Sequence, residues 1–390
     1  MGTFNGQLNP NEAFAALYNQ ILSQKVWAPE VAKINTLAEK ARVDGGQYGD
    51  TKLYYASDAL KSQEWGGDTE AANLLTLHRP PAPACQAIVI NRFRMIPLTV
   101  DNYLTKRAWG TEGAFSAFNN AMVSWMSVTK DVYDETIINA FYGTEKGTGA
   151  KQNQSVTINL DNTLEGSARV EAQTIAEKVA NIITDLTKDI RRDYNDNGFL
   201  RRYPKERLQI IWNAKYVNKI LKIDLPTIYH KDIMEDFKDI LPSKYFGTVI
   251  TSTNVGTYSA STPAAGKPID SDDYTYVPGS NNANGTIRAL VEMEVKVSDV
   301  TYHMFAGEEL PAGAVLYTSA SDNLYGQIYI EDPTVICKIT VEGSVPFMSS
   351  FRTATDFFNP RSLTETHFII WSHNTLEHLK NYPFITLSEA

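Results

Sequence analysis

RVEAQTIAEKVANIITDLTKDIRRDYN, residues 169–195, is the longest periodic stretch of the chain. Val170, Ile175, Val179, Ile182, Ile183, Leu186, Ile190 and Tyr194 fall on one stripe of a helix, with charge on the opposite face. At 1.5 Å per residue, roughly 26 residues make a rod of ~39 Å, about twice the ordinary helix length. A helix of that reach serves as the spine of a whole domain. Its end poses a second question, because Asp193-x-Asn195-x-Asn197-Gly198 has the opening spacing of a calcium-binding loop. Such a loop needs a bidentate glutamate at its twelfth position, and that position is Pro204. Asn197 and Gly198 tolerate the left-handed conformation, and with Pro204 beyond them they read as the stop signal of the spine.

Upstream of the spine, Glu112 to Tyr142 repeats Phe115, Phe118, Met122, Trp125, Met126, Tyr133, Ile137, Ile138 and Phe141 at helical spacing and closes at Gly143. Before it, TKLYYA (51–56) and CQAIVINRF (85–93) read as strands flanking a polar stretch that contains Gly66, Gly67, Pro80, Pro81 and Pro83. A two-stranded ribbon is marginal alone in water, so it needs another surface to lie on, such as another subunit. Asn9, Pro10 and Glu12 make a helix start for residues 13–25. A further helix is expected over Pro29–Val43, stopped by Gly45 and Gly46.

Downstream, RLQIIWN (207–213) and YFGTVITS (245–252) read as strands, and NAKYVNKI (213–220) and TIYHKDIMEDFKDIL (227–241) as helices. Residues 253–286 are rich in Ser, Gly, Asn, Asp and Pro and are expected to be an exposed insertion. The period then switches to two. Val291, Met293, Val295 and Val297 alternate with Glu292, Glu294 and Lys296, and Val335, Cys337, Ile339 and Val341 alternate with Ile336, Lys338 and Thr340. The apolar run HFIIWSH (367–373) ends the β-rich last third. Helices and strands in separate blocks give an α+β class.

The chain has 390 residues, 43% apolar and 21% charged, enough for a sizeable core and roughly two to three domains. A formal net charge of −9 argues against intrinsic affinity for nucleic acid, because binding there needs basic groups that replace counterions. Cys85 and Cys337 belong to no C-x-x-C pair, so neither a disulfide framework nor a zinc ribbon is expected. Neither a basic segment leading into an apolar run nor a stretch of 18 apolar residues is visible, which predicts a soluble cytoplasmic product.

Other motifs lead to plain readings. GTEKGTGAK (143–151) lacks the G-x-x-x-x-G-K-[ST] register and follows a helix rather than a strand, so it reads as a flexible connector. Arg191, Arg192, Arg201, Arg202, Lys205 and Arg207 are interrupted by Asp193, Asp196 and Glu206, which suits a salt-bridging surface better than a nucleic-acid site. His367, His373 and His378 lack zincin spacing and are expected on the polar face of a strand and the turn after it. There is no G-x-S-x-G elbow. No catalytic, cofactor-binding or metal-ligating residue is assigned, and no enzymatic activity is expected.

The order of elements resembles that of the major capsid protein of tailed double-stranded-DNA bacteriophages, the fold shared with encapsulins and herpesvirus shells. The resemblance is nearest to small short-tailed phages of Gram-positive hosts, the podovirus type. It is carried by Phe115 with AFNNAMVSWMSVTKDVYDETIINAFYG (117–143), the spine followed by RLQIIWNAKYVNKI (207–220), YFGTVI (245–250) and FFNPRSLTETHFIIW (357–371). It implies an N-terminal arm (1–44), an extended loop (45–95), a peripheral domain with the spine (96–212 and 342–390) and an axial domain with a β-rich insertion (213–341). It further implies a structural protein that self-assembles as pentamers and hexamers into an icosahedral head. Its partners would be other copies of itself, a portal and a scaffolding protein. The head encloses double-stranded DNA without binding it specifically, touches no membrane, and belongs to the virion after assembly in the host cytoplasm. Two alternatives stay open: an encapsulin-like compartment, and a phage-encoded hydrolase using convergent carboxylates.

Overall fold

A computed structural model describes residues 37–43, 50–62, 77, 79–101, 112–158, 165–221, 239–254, 274–276, 286–317 and 324–390. The expected helix over 13–25, the start of the one over 29–43, the middle of the ribbon, residues 227–238 and most of 253–286 lie outside the described residues.

The spine is α3 (Glu165–Lys188). It begins earlier and stops sooner than the apolar stripe suggests, and the two ends of that stripe, Val170 and Ile190, are exposed. Its inner face (Ala172, Ile175, Val179, Ile182, Leu186) packs on a five-stranded sheet. That sheet runs in the order β3 (Asn153–Val156), β16 (Phe384–Glu389), β13 (Val335–Val341), β4 (Leu208–Asn213) and β5 (Asp239–Leu241). β3 and β5 run parallel to their neighbours and the other pairs are antiparallel. Each large apolar side chain buried there contributes ~1.5–3 kcal/mol.

A second apolar cluster contains Ile211, Val335 and Phe384 from the same sheet. They meet Met126, Tyr133, Ile137, Ile138 and Tyr142 of α2 (Glu112–Thr144). With a helix on each side, every residue of β13 is buried, including Lys338 and Thr340. The alternation at 335–341 therefore does not separate a wet face from a dry one. In α2, Trp125 is half exposed rather than core. Residues 239–241, expected at the end of a helix, form the edge strand β5, because they find a partner in β4. HFIIWSH lies within β15 (Thr364–Asn374) and is followed by the further strand β16.

The four-stranded antiparallel sheet that carries the ribbon runs β1 (Thr51–Ala56), β2 (Ala84–Asp101), β15, β14 (Ser350–Asn359). β2 spans 18 residues, far beyond the expected 85–93. Its first part pairs with β1 and the rest with β15. Pro97 interrupts the sequence pattern. It sits where β2 is paired on the β15 side, past the end of β1. A register shift at Asn91 marks the junction of the two parts, and bulges of this kind bend a strand.

Short strands build the third region: β6 (Gly247–Val249), β12 (Ile328–Glu331) and β8 (Ile287–Ala289) in one sheet, the hairpin β9 (Met293–Val297) with β10 (Val300–Met304), and β7 (Tyr274–Thr275) with β11 (Val315–Tyr317). Ile250, Ile287, Met293, Leu316 and Ile328 form its core. Tyr276, from the stretch expected to be an exposed insertion, is buried in that core, since β7 brings it in beside β11. α1 (Leu37–Ala41) lies against α2, and α4 (Ala214–Leu221) follows β4. No described helix is long and apolar enough to cross a membrane.

Candidate assembly surface

Alternation along β1 and β2 sends one set of side chains inward and the other out. Ile88 and Ile90 are buried with Met348 and Leu379, and Tyr54 packs beside them. On the other face, Leu53 stands opposite Ala87 and Tyr55 opposite Cys85, and Met95 lies opposite Ile370. Leu53, Tyr55, Phe93, Met95 and Phe357 are each half to two-thirds exposed. An apolar face of this extent is a candidate contact surface.

The surface ends at the β14–β15 hairpin tip. Phe357, Phe358 and Leu363 are exposed there, and Leu363 adopts φ +54°. That conformation costs a branched residue on the order of 1–2 kcal/mol. Strain at an exposed apolar tip fits a contact made elsewhere.

The root of the ribbon is pinned to the body by polar groups. Asp58 accepts hydrogen bonds from Arg192 (2.5 Å) and the Leu200 amide (3.0 Å), which hold its carboxyl down at about 2. Arg201 donates to the Ser57 carbonyl and to Asn381. Arg191 pairs with Asp185 at 2.8 Å. The basic cluster is thus a salt-bridging surface within the chain at Arg191 and Arg192. Gln86 of β2 is clasped by the loop after β15: its amide donates to the His378 carbonyl (3.0 Å) and its carbonyl accepts from the Lys380 amide (3.0 Å).

His378 itself turns inward between two carboxylates, with Nδ1 2.5 Å from Glu145 and Nε2 2.8 Å from Asp196. Burial pushes its pKa down, but the bonds to Asp196 and Glu145 more than offset this and lift it to about 9. The ring is therefore an imidazolium at neutral pH and donates to both. Burial alone would raise Asp196, yet His378 and the Thr148 amide hold it well below the carboxylate range. Its other oxygen accepts from the Thr148 and Gly149 amides and from the Gln152 side chain.

This arrangement answers the question raised by residues 193–198. Asp196 is saturated by protein donors, and Asn195 closes a turn by bonding both the amide and carbonyl of Phe199. Gly198 takes φ +66°, but ten residues after α3 has ended, so it shapes this turn and not the helix terminus. Among the described residues, no group of three or more His, Cys, Asp or Glu side chains could hold a metal. The glycine-rich 143–151 stretch is a packed element and not a flexible connector. A Cβ at Gly143 would stand 2.0 Å from the Tyr245 carbonyl oxygen, and the turn at 147–149 wraps Gln152 and Asp196.

The three histidines sit on β15 and in the loop after it, as expected, but buried rather than on a polar face. His373 donates Nδ1–H to the Asn374 carbonyl, and its Nε2 accepts from Tyr133 at 2.7 Å. Burial pushes its pKa down, so it is neutral. His367 lies 2.6 Å from Asp356. Lys338, fully buried, donates to the Glu145 carbonyl (2.7 Å) and to Thr386 (2.9 Å). Burial, and then Lys146, push its pKa down to about 7. The sequence pattern placed Lys338 only on the alternate face of a strand, which the structure shows to be buried. The meeting of Glu145, Asp196 and His378 left no local signal.

No protein-family model and no curated protein matches the chain. Its fold does match solved structures. One is a chain in the capsid structure of Staphylococcus phage Andhra, at TM-score 0.59 and 13% identity, covering 94% of this chain and 87% of that one. Another is a chain in the structure of the head fiber and inner core protein gp22 of native bacteriophage P68, at TM-score 0.57 and 12% identity, covering 90% and 84%. At such identities the likeness is one of backbone architecture, and it extends over nearly the whole length of each chain. The protein has an α+β fold shared with these chains of solved phage structures, the first of them a capsid.

Proposed function

We propose that this chain is the major capsid protein of a tailed double-stranded-DNA bacteriophage, of the short-tailed type infecting Gram-positive hosts. It acts as a structural protein and not as an enzyme. The observation that carries the proposal is the apolar outer face of the β1–β2–β15–β14 sheet with its exposed hairpin tip, on a chain whose fold is shared with these chains of solved phage structures. Copies of the chain tile as pentamers and hexamers, each covering the apolar ribbon of a neighbour, because a closed shell from one polypeptide needs surfaces that reach several neighbours. The head so formed joins a portal, is guided by a scaffolding protein and encloses DNA without gripping it, in keeping with a net charge of −9. Assembly takes place in the host cytoplasm, and the product is the virion shell.

The proposed division of labour makes residues 1–44 the N-terminal arm, 45–95 the extended loop, 96–212 and 342–390 the peripheral domain and 213–341 the axial domain, two of whose strands, β5 and β13, lie in the sheet with β3, β4 and β16. The test is direct: the purified chain, with and without co-expressed scaffolding protein, is followed by sedimentation and negative-stain imaging. Discrete closed particles are expected. A monomer that persists at high concentration under both conditions would sink the proposal.

A further inference from the structure

The loop between β15 and β16 (residues 375–383) is the keystone of the ribbon's root. Besides clasping Gln86, it bonds Asn91 at the bulge through Thr375 (2.8 Å). It accepts the Asn197 amide at Lys380 (3.2 Å) and the Tyr203 hydroxyl at Asn381 (2.8 Å). Into the body it sends one charged side chain against two carboxylates, His378. A cleft of about 460 Å³ lies between this loop and the ribbon, lined by Tyr54, Cys85, Leu379 and Tyr382 among others, so the ribbon has room to move once the loop lets go.

We propose that the His378 imidazolium, held between Glu145 and Asp196, is a charge-dependent latch that locks the 375–383 loop and with it the angle of the ribbon to the body. A neutral imidazole has a single N–H, so loss of the proton forfeits one of the two bonds and leaves two carboxylates facing one uncharged ring. Asp196 keeps its hold on Thr148, Gly149 and Gln152. Glu145, whose side chain is 28% exposed, is therefore the partner released. The charged groups around the ring are Glu145 at the end of α2, Asp196 in the turn after α3, Lys338 from β13 reaching the Glu145 carbonyl with Lys146 beside it, and Glu377 and Lys380 on the loop itself. Phe384 of β16 closes the remaining side, its ring 5.4 Å away.

The sign follows from the raised pKa. The contribution is complete below the unfolded value of 6.5, declines above it and is lost once the pH passes about 9. Across that window the latch weakens by about tenfold per pH unit, a few hundred-fold in all. Lys338 titrates in the opposite sense on the global fold, so the readout must be local.

Hydrogen exchange of the isolated subunit from pH 6.5 to 10.5 is read by mass spectrometry, each peptide normalised to unstructured rates and to a peptide from β13. Peptides covering 84–91 and 375–383 are expected to lose protection by at least tenfold relative to β13. His378→Gln should show them open at pH 6.5 with no further pH dependence. Glu145→Gln, at the less buried carboxylate, should keep the transition but move its midpoint to lower pH. Protection of 84–91 and 375–383 that follows β13 throughout in the unmodified chain, or a Glu145→Gln midpoint that does not fall, overturns the latch. The measurement is made on the subunit alone, so its failure leaves the assembly proposal standing, and failure to form particles leaves the latch standing.

Discussion

Replacing Tyr55 and Phe357 together by serine separates a contact surface from a core. Tyr55 is 66% exposed and Phe357 62%, so folding leaves most of each side chain in water and a neighbouring copy would have to cover it. An aromatic side chain of ~200 Å² with that exposure offers ~125–130 Å² to a partner, worth ~3 kcal/mol at ~25 cal/mol per Å². That is roughly a hundredfold in affinity for each side chain at each contact, as an upper figure, since association also costs ordering of the surface. Subunit stability should change by less than ~0.5 kcal/mol. The comparison variant is Ile88→Ala on the opposite face of β2, where the side chain is buried and truncation should cost the subunit ~2–5 kcal/mol. Urea unfolding of the subunit and sedimentation velocity of assembly reactions read the two quantities separately. If the double serine variant assembles at the unmodified threshold concentration, or destabilises the subunit as much as Ile88→Ala does, the outer face is not an assembly surface.

Three further outcomes are expected. Deleting residues 60–82 should leave a folded subunit that no longer assembles, whereas extending the cut to 57–84 also removes Ser57 and Asp58, which anchor the root; thermal melts and sedimentation distinguish the two, and an assembling 60–82 deletion would contradict the role of the ribbon. Gly143→Ala should destabilise by ~1–3 kcal/mol despite alanine's better helix propensity, because the new methyl would press on the Tyr245 backbone; a rise in melting temperature would refute the close approach. For Lys338, the pKa lowered to about 7 means that the burial penalty is complete below pH 7 and is relieved towards 10.5. The stability of the unmodified chain relative to Lys338→Met should therefore climb with pH across that window, by at most ~1.4 kcal/mol per pH unit, and a flat difference in melting temperature would count against the lowered pKa of the buried amine.

Much of the architecture was legible because period reports secondary structure directly. The 3.6-residue repeats at 112–142 and 169–195 mark α2 and α3, and TKLYYA and RLQIIWN mark β1 and β4. The misreadings have physical causes. Val170 and Ile190 continue the apolar stripe past the region that the five-stranded sheet can cover. Residues 239–241 carry helical neighbours in sequence but find β4 beside them. The β2 strand hides behind Arg92, Arg94 and Pro97, because a strand that bends and is paired on one side can carry residues that a central strand cannot. The glycines at 143–149 look like slack, yet they are there because Tyr245 and Gln152 come too close for side chains.

From the chain alone came the α+β class, the spine, the ribbon and the absence of a calcium-loop glutamate at Pro204, all properties of neighbouring residues and their spacing. Tertiary structure decided which faces are covered and which polar groups meet. The apolar side of β2 that looks outward, the double burial of β13, and the convergence of Glu145, Asp196 and His378 from three distant segments all depend on which elements pack together. A local pattern specifies that a face must be covered or a charge paired; long-range contacts alone specify by what.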